Sequence, residues 1–459
     1  MKRIFSMILA MVLLCTCMCM SFAEESTSGA GNVRYLSGVT SEMVVPEYWS
    51  GLTTNSDEVL LSFDEIEAIN DAIVQEGENT NVTNLESASV TAPPAIEMFE
   101  RILYVNGEEI NEEAVTTEMT QNTEVFSEVF YAVTVRRADV KSWPIADFVG
   151  YDVPTDPDDE TQLSVLEVNS PVLISGKCTY EDHVFYFCTS QYITGWIDSE
   201  SLAICRDKAE WKDSWKVELG DEDFIVVTQD KIRLEPMLLE PEISEVELML
   251  GTKLKLVPES EIPEKLGERE GTLYNYVVYL PTRDAAGNYV KKIALIPERY
   301  SVSVGFLPFT QANLTKVAFG LLGNRYGWGG MLKSYDSSLF HRQVYSCFGL
   351  VIPTNTSWQR SVSNYASDIS DLSDEEKLDY IKQLPIGTLL YMPGFSMQYI
   401  GYVDDMVYVI ADAGVFADSS DDAEVRRYYT VSVMPLSVHR RDGSTFFSNL
   451  NYVLNFTAK

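Results

Sequence analysis

Arg325-Tyr326-Gly327-Trp328-Gly329-Gly330 and, six residues on, Asp336-Ser337-Ser338 are the stretches on which the reading of this chain turns. The first is too rich in glycine for a helix or strand and carries two aromatic rings, so it reads as a loop that presents Tyr326 and Trp328. Its glycines leave room for a close backbone approach. The second starts a helix. Asp336 is a natural N-cap, and Leu339, Phe340, Val344, Cys347 and Phe348 recur at helical spacing until Gly349. A small hydroxyl residue, Ser337, therefore sits at a helix N-terminus beside an aromatic loop.

Working outward, the preceding segment predicts another helix. Thr310 caps it, Leu314, Val317, Ala318, Leu321 and Leu322 share one face, and Gly323 ends it. Downstream, Ser373-Asp374-Glu375-Glu376 is a capping box for a third helix that stops before Pro385. Strands are expected over 388–392, 397–403, 407–411 and 428–433. Helices followed by an antiparallel sheet make residues 307–459 an α+β unit.

Upstream, residues 126–206 and 207–306 each break into short apolar runs separated by turns, among them Val129–Val135, Val184–Cys188, Phe224–Val227 and Tyr274–Leu280. Their similar rhythm predicts two related small all-β barrels, the first with a turn-rich acidic insert at Asp152–Gln162. Residues 24–125 read as a helical segment and linker. In it Ser62 and Glu65 form a cap ahead of Ile66, Ile69 and Ile73, and Thr91-Ala92-Pro93-Pro94 marks a boundary.

Lys2 and Arg3, the apolar run from Ile4 to Met20, and Ser21-Phe22-Ala23 predict a secretory signal cleaved after Ala23. No other run is long and apolar enough to span a membrane, so no membrane partner is expected after cleavage. The 459 residues carry 69 acidic and 34 basic side chains, a net charge of −35. Such a chain is repelled by nucleic acid and by anionic surfaces, so recognition must come from a shaped pocket. Of seven Cys, Cys15, Cys17 and Cys19 fall in the signal. Cys178 and Cys188 flank a hairpin turn at Tyr180–His183 and are candidates either for a disulfide or for plain buried thiols. With three His and no CxxC pair, no metal site and no cofactor is expected.

The C-terminal stretches resemble the NlpC family of papain-like cell-wall endopeptidases. The likeness runs in order through Tyr326–Gly330, Asp336-Ser337-Ser338, Cys347-Phe348-Gly349-Leu350, Pro353–Thr356 and Leu389–Gly394. Residues 126–306 resemble the two bacterial SH3-like barrels that precede this domain in clostridial-type members. The resemblance implies a papain-like fold and hydrolysis of γ-D-glutamyl to diamino-acid bonds in murein stem peptides. It also implies that the chemistry is missing. The family's nucleophilic Cys corresponds to Ser337, its His after Pro-Gly to Phe395, and its third catalytic residue to Ala411. A hydroxyl needs a base to take its proton, and Phe395 cannot be one. No catalytic residue is therefore assigned.

Tyr326, Trp328, Gly329, Asp336 and Ser338 remain as candidate substrate-binding residues. The resemblance implies that Asp336 and Ser338 hold a ligand's amino terminus. The expected partner is a murein stem peptide or peptidoglycan, and a second wall protein is a further candidate. The rival reading is a working hydrolase in which His341, one helical turn after Ser337, serves as base with Asp412 as third member.

Overall fold

The computed structural model describes residues 32–88, 91–99, 101–151, 158–418 and 424–458. The expected signal and part of the acidic insert lie outside these residues.

Helices form where caps and apolar spacing coincide. Helix α1 spans Pro46–Ser50. Helix α2 (Phe63–Gln75) starts at a Ser62/Glu65 capping box and buries Ile66, Ile69 and Ile73. Helix α3 (Glu112–Gln121) is capped by Asn111, and α4 (Lys208–Trp215) by Asp207. The N-terminal segment is not a free linker. Trp49, Ile66, Ile69 and Ile73 belong to the same core as the C-terminal unit. Asn70 bridges Gly349 O and Val351 N at 2.8 Å each.

Residues 123–204 build one seven-stranded antiparallel sheet from β1 (Thr123–Thr134), β2 (Ala138–Lys141), β3 (Gln162–Leu166), β4 (Pro171–Tyr180), β5 (His183–Ser190), β6 (Thr194–Asp198) and β7 (Leu202–Ile204). The order is β7-β1-β4-β5-β6-β2-β3. Register shifts in β1 and β4 bend the long strands, and the sheet encloses two apolar clusters, one around Trp143 and Trp196 and one around Ile174 and Ile197. The second β region is built differently. Strands β8 (Phe224–Val227), β9 (Lys253–Lys255) and β12 (Val302–Val304) form a three-stranded sheet, while β10 (Asn275–Arg283) and β11 (Tyr289–Pro297) pair as a separate long hairpin. The two regions divide their strands differently among sheets.

The candidate disulfide is absent. The hairpin turn takes two residues, so Tyr180 opposes His183, Cys178 opposes Phe185, and Cys188 opposes Ile174. The two thiols are free and enter different apolar clusters. Burial pushes both above the usual thiol range.

The C-terminal unit begins with α5 (Gln311–Phe319), which ends four residues before Gly323. Next come α6 (Ser337–Ser346), α7 (Thr356–Arg360) and α8 (Asp374–Ile381). Its six strands are β13 (Ala366–Asp368), β14 (Leu389–Met392), β15 (Phe395–Val403), β16 (Met406–Phe416), β17 (Arg426–Pro435) and β18 (Tyr452–Leu454). They run β13-β18-β14-β15-β16-β17, all antiparallel. The sheet is buried on both faces, and α6 lies against β15 and β16. This is the expected α+β layout.

Candidate binding cleft

A cleft of about 590 Å³ opens at the N-terminus of α6. Ser337, Asp336, Tyr326 and Trp328 form one side, and Phe395 forms another. The first β region closes it with Asp158, Gln162, Leu163 and Ile193, a wall that the sequence reading did not anticipate.

Each candidate residue has a definite place. Asp336 is the N-cap of α6. Its Oδ1 accepts from Ser338 N at 2.9 Å, Ser338 Oγ at 2.8 Å and Leu339 N at 2.8 Å, and its Oδ2 accepts from Gly329 N at 3.0 Å. Only Oδ2 keeps spare acceptor capacity for a ligand. Ser338 Oγ also contacts Thr354 O at 2.9 Å, so Ser338 ties α6 to the next loop. Tyr326 is half-buried with its ring 5.5 Å from that of Tyr429, and burial raises its phenol. Trp328 is 46% exposed, which leaves its ring free to cover a ligand.

The glycines serve the protein's own packing. Gly329 and Gly330 have φ of 55° and 84°. A Cβ on Gly329 would lie 2.8 Å from Gln162 Cγ, and one on Gly330 2.7 Å from Val165 Cγ2. Gln162 Nε2 in turn donates to Gly329 O at 3.1 Å. The backbone that approaches this loop is β3, so the sequence signal was right about closeness and wrong about the neighbour.

Phe395 lines the cleft half-buried, 5.7 Å from the Phe446 ring. It forms a wall and leaves the cleft open. Ala411 is fully buried. The strand register brings other residues to the helix side of the sheet. Tyr391 on β14 reaches towards α6, since its hydroxyl meets Gln359 Oε1 at 3.2 Å and Gln359 Nε2 donates to Ser338 O at 3.1 Å. Ser396 pairs with Tyr391 and Gln398 with Ile410, and directly opposed residues share a face. Ser396, Gln398 and Asp412 therefore face α6. Phe395 and Ala411, one position away, do not.

His341 completes this buried layer. It is fully buried, and neither ring nitrogen makes a hydrogen bond of good geometry among the described residues. Burial pushes its pKa down to about 3, with the nearby Ser396 backbone opposing the shift. Burial, helped by the Asp336 charge, pushes Asp412 up to about 9. Both carboxyl oxygens of Asp412, the Ser396 hydroxyl and the Gln398 amide also lack partners. Ser337 Oγ makes no hydrogen bond to any of them among the described residues. At neutral pH the layer thus holds a neutral imidazole and a neutral carboxylic acid.

No family model matches this chain, and no curated protein does. Solved structures do match in shape. An NlpC/P60 endopeptidase from Photobacterium damselae subsp. piscicida superposes with a TM-score of 0.66 over 90% of this chain and 97% of that one, at 15% identity. This chain shares that endopeptidase's fold. An NlpC/P60 family protein from Bacillus cereus ATCC 10987 overlaps less fully, with a TM-score of 0.46 and 15% identity over 72% of this chain. At such identities the likeness speaks for the fold, and function has to be argued from the cleft.

Proposed function

We propose that this protein is a secreted relative of murein γ-D-glutamyl endopeptidases that binds cell-wall peptide without hydrolysing it. The observation that carries the reading is an open cleft beside Ser337 in which, among the described residues, no hydrogen bond links the Ser337 hydroxyl to a base. An acyl-transfer reaction needs the nucleophile's proton to be taken by a group within hydrogen-bond reach. Phe395 has no such group. His341 is sealed in the layer below, and Asp412 in its neutral form supplies no carboxylate to orient an imidazole. The rival Ser337–His341 hydrolase gains no support from this arrangement.

What remains suits binding. Trp328 offers an exposed ring, and Asp158 and Asp336 give the cleft an acidic wall. An ammonium group is the natural counterpart of such a wall. A murein stem peptide supplies amines on its terminal residue and on its diamino acid. The two β regions, read as SH3-like modules, provide further contact with the wall or with another wall protein.

Calorimetry with an L-Ala-γ-D-Glu-diamino acid tripeptide tests this. Saturable heat that falls at least tenfold in affinity in Trp328→Ala supports the reading. No heat with the wild-type protein overturns it.

A further inference from the structure

A polar cavity of about 80 Å³ lies where both β regions meet α6, and it shares no lining residue with the Ser337 cleft. The first β region supplies Glu167 and Asn169, and the second supplies Thr252 and Lys253. Trp215 comes from the end of α4 and Arg342 from the middle of α6.

Charge marks this cavity out. The whole chain carries a net charge of −35, yet the charged residues on the cavity wall are two cations and one carboxylate. That carboxylate, Glu167, is already shared, because its Oε1 accepts from Arg137 at 3.1 Å and from Gln343 at 2.9 Å. Arg342 gives its guanidinium to neutral acceptors, Thr354 Oγ1 at 2.8 Å and Val165 O at 2.9 Å. Lys253 is half-buried, and its ammonium lies 5.9 Å from the centre of the Phe306 ring. It makes no ion pair among the described residues, and burial lowers its pKa.

The same wall carries polar atoms without partners. Glu167 Oε2, Asn169 Oδ1, Thr252 Oγ1 and Trp215 Nε1 are buried and make no hydrogen bond among the described residues. Glu167 is 6% exposed and Thr252 1%. The carboxylate and amide oxygens accept, the indole N–H donates, and the threonine hydroxyl does both. Such groups cost stability when left unpaired, so they mark a place for a polar occupant. Water meets donors and acceptors alike, but it does not neutralise an ammonium.

We propose that this cavity binds a free amino acid of the size of glycine or alanine. Its carboxylate answers the Lys253 ammonium, the Thr252 hydroxyl and the Trp215 N–H, and its ammonium answers Glu167 Oε2 and Asn169 Oδ1. Size limits the occupant. At roughly 10–15 Å³ for each water centre the cavity takes about five to eight waters, which is the space of so small a molecule. Occupancy ties both β regions to α6, and it does not depend on what the Ser337 cleft holds.

Calorimetry on the full chain with glycine, alanine, acetate, methylamine and glycylglycine tests this. Glycine or alanine is expected to give saturable heat. Acetate and methylamine each carry half of the charge pattern, and glycylglycine is too long, so all three are expected to bind at least about tenfold more weakly. Lys253→Met, Thr252→Val and Trp215→Phe each remove one partner with little change in packing, and each is expected to weaken amino-acid binding at least about tenfold. Melting of each variant without ligand checks that it folds. No saturable heat with either amino acid leaves the cavity to water and overturns the proposal. So does acetate or glycylglycine binding as tightly as glycine, or an affinity unchanged in all three variants.

Discussion

Three consecutive residues of α6 enter two buried polar layers that have opposite character. Towards the first β region, Arg342 donates to Thr354 Oγ1 at 2.8 Å and Val165 O at 2.9 Å, and its guanidinium covers the Tyr192 ring at 4.7 Å. Gln343 donates to Glu167 at 2.9 Å, and Arg137 pairs with the same carboxylate at 3.1 Å. In this layer, among the described residues, only Arg137 Nη1 and Glu167 Oε2 lack a partner. Towards the sheet lie His341, Ser396, Gln398 and Asp412, whose buried side-chain polar atoms have no well-formed hydrogen bond among the described residues. The first layer is a joint that holds β3 against the cleft. The second keeps polar groups in a place where the fold gains nothing from them, because a buried polar group without a partner costs stability.

Breaking the joint should have the largest effect. Arg342→Ala leaves Glu167, already raised by burial, without one of the charges that lower it. The expected loss is about 3–5 kcal/mol in denaturant unfolding, because Thr354 Oγ1 and Val165 O lose a buried charged donor and Tyr192 loses its packing partner, while Arg137 still pairs with Glu167. A loss under about 1 kcal/mol would remove the contrast between the layers.

The sheet-side layer should respond in the other direction, and through pH. The folded pKa of Asp412 lies at about 9, above its ordinary value of 3.8. The folded state holds this proton while the unfolded state releases it, so stability is lost as pH rises from about 4 towards 9. Asp412→Asn should flatten that slope and be more stable than the wild type at pH 8 by about 2–4 kcal/mol. His341 works from the acid side. Its folded pKa of about 3 lies below the ordinary 6.5, so stability falls as pH drops from about 6.5 towards 3. His341→Leu should remove about 1–2 kcal/mol of that loss at pH 5. Unfolding curves at three pH values check both, and parallel wild-type and variant profiles would contradict the assigned burial.

The smallest expected effect is none. A reductant should leave the melting temperature unchanged, because Cys178 and Cys188 are free. A fall of several degrees would restore the disulfide.

The contrast also explains what the sequence made legible. Caps and apolar spacing gave α2, α5, α6 and α8, because those signals act within one turn. Asp336, Tyr326 and Trp328 were found because a helix start and a glycine-rich aromatic loop are local patterns. The rest depends on long-range register. Whether position 395 or 396 faces α6 is decided by the pairing of β14 with β15, which no local pattern records. Gly329 and Gly330 advertise a close neighbour without saying that it is β3, more than 160 residues upstream. The closure of the cleft by Gln162 and Leu163, and the docking of α2 on the C-terminal core, are likewise contacts between distant segments. The short strands β13 and β18 carry too few residues for an alternation to show.

The central claim is that the cleft beside Ser337 holds peptide and leaves it intact. Prolonged incubation with the L-Ala-γ-D-Glu-diamino acid tripeptide at saturating concentration, followed by mass spectrometry of the ligand, tests it most directly. The account predicts a bound ligand recovered whole. Cleavage at the γ-glutamyl bond that disappears in Ser337→Ala would contradict it.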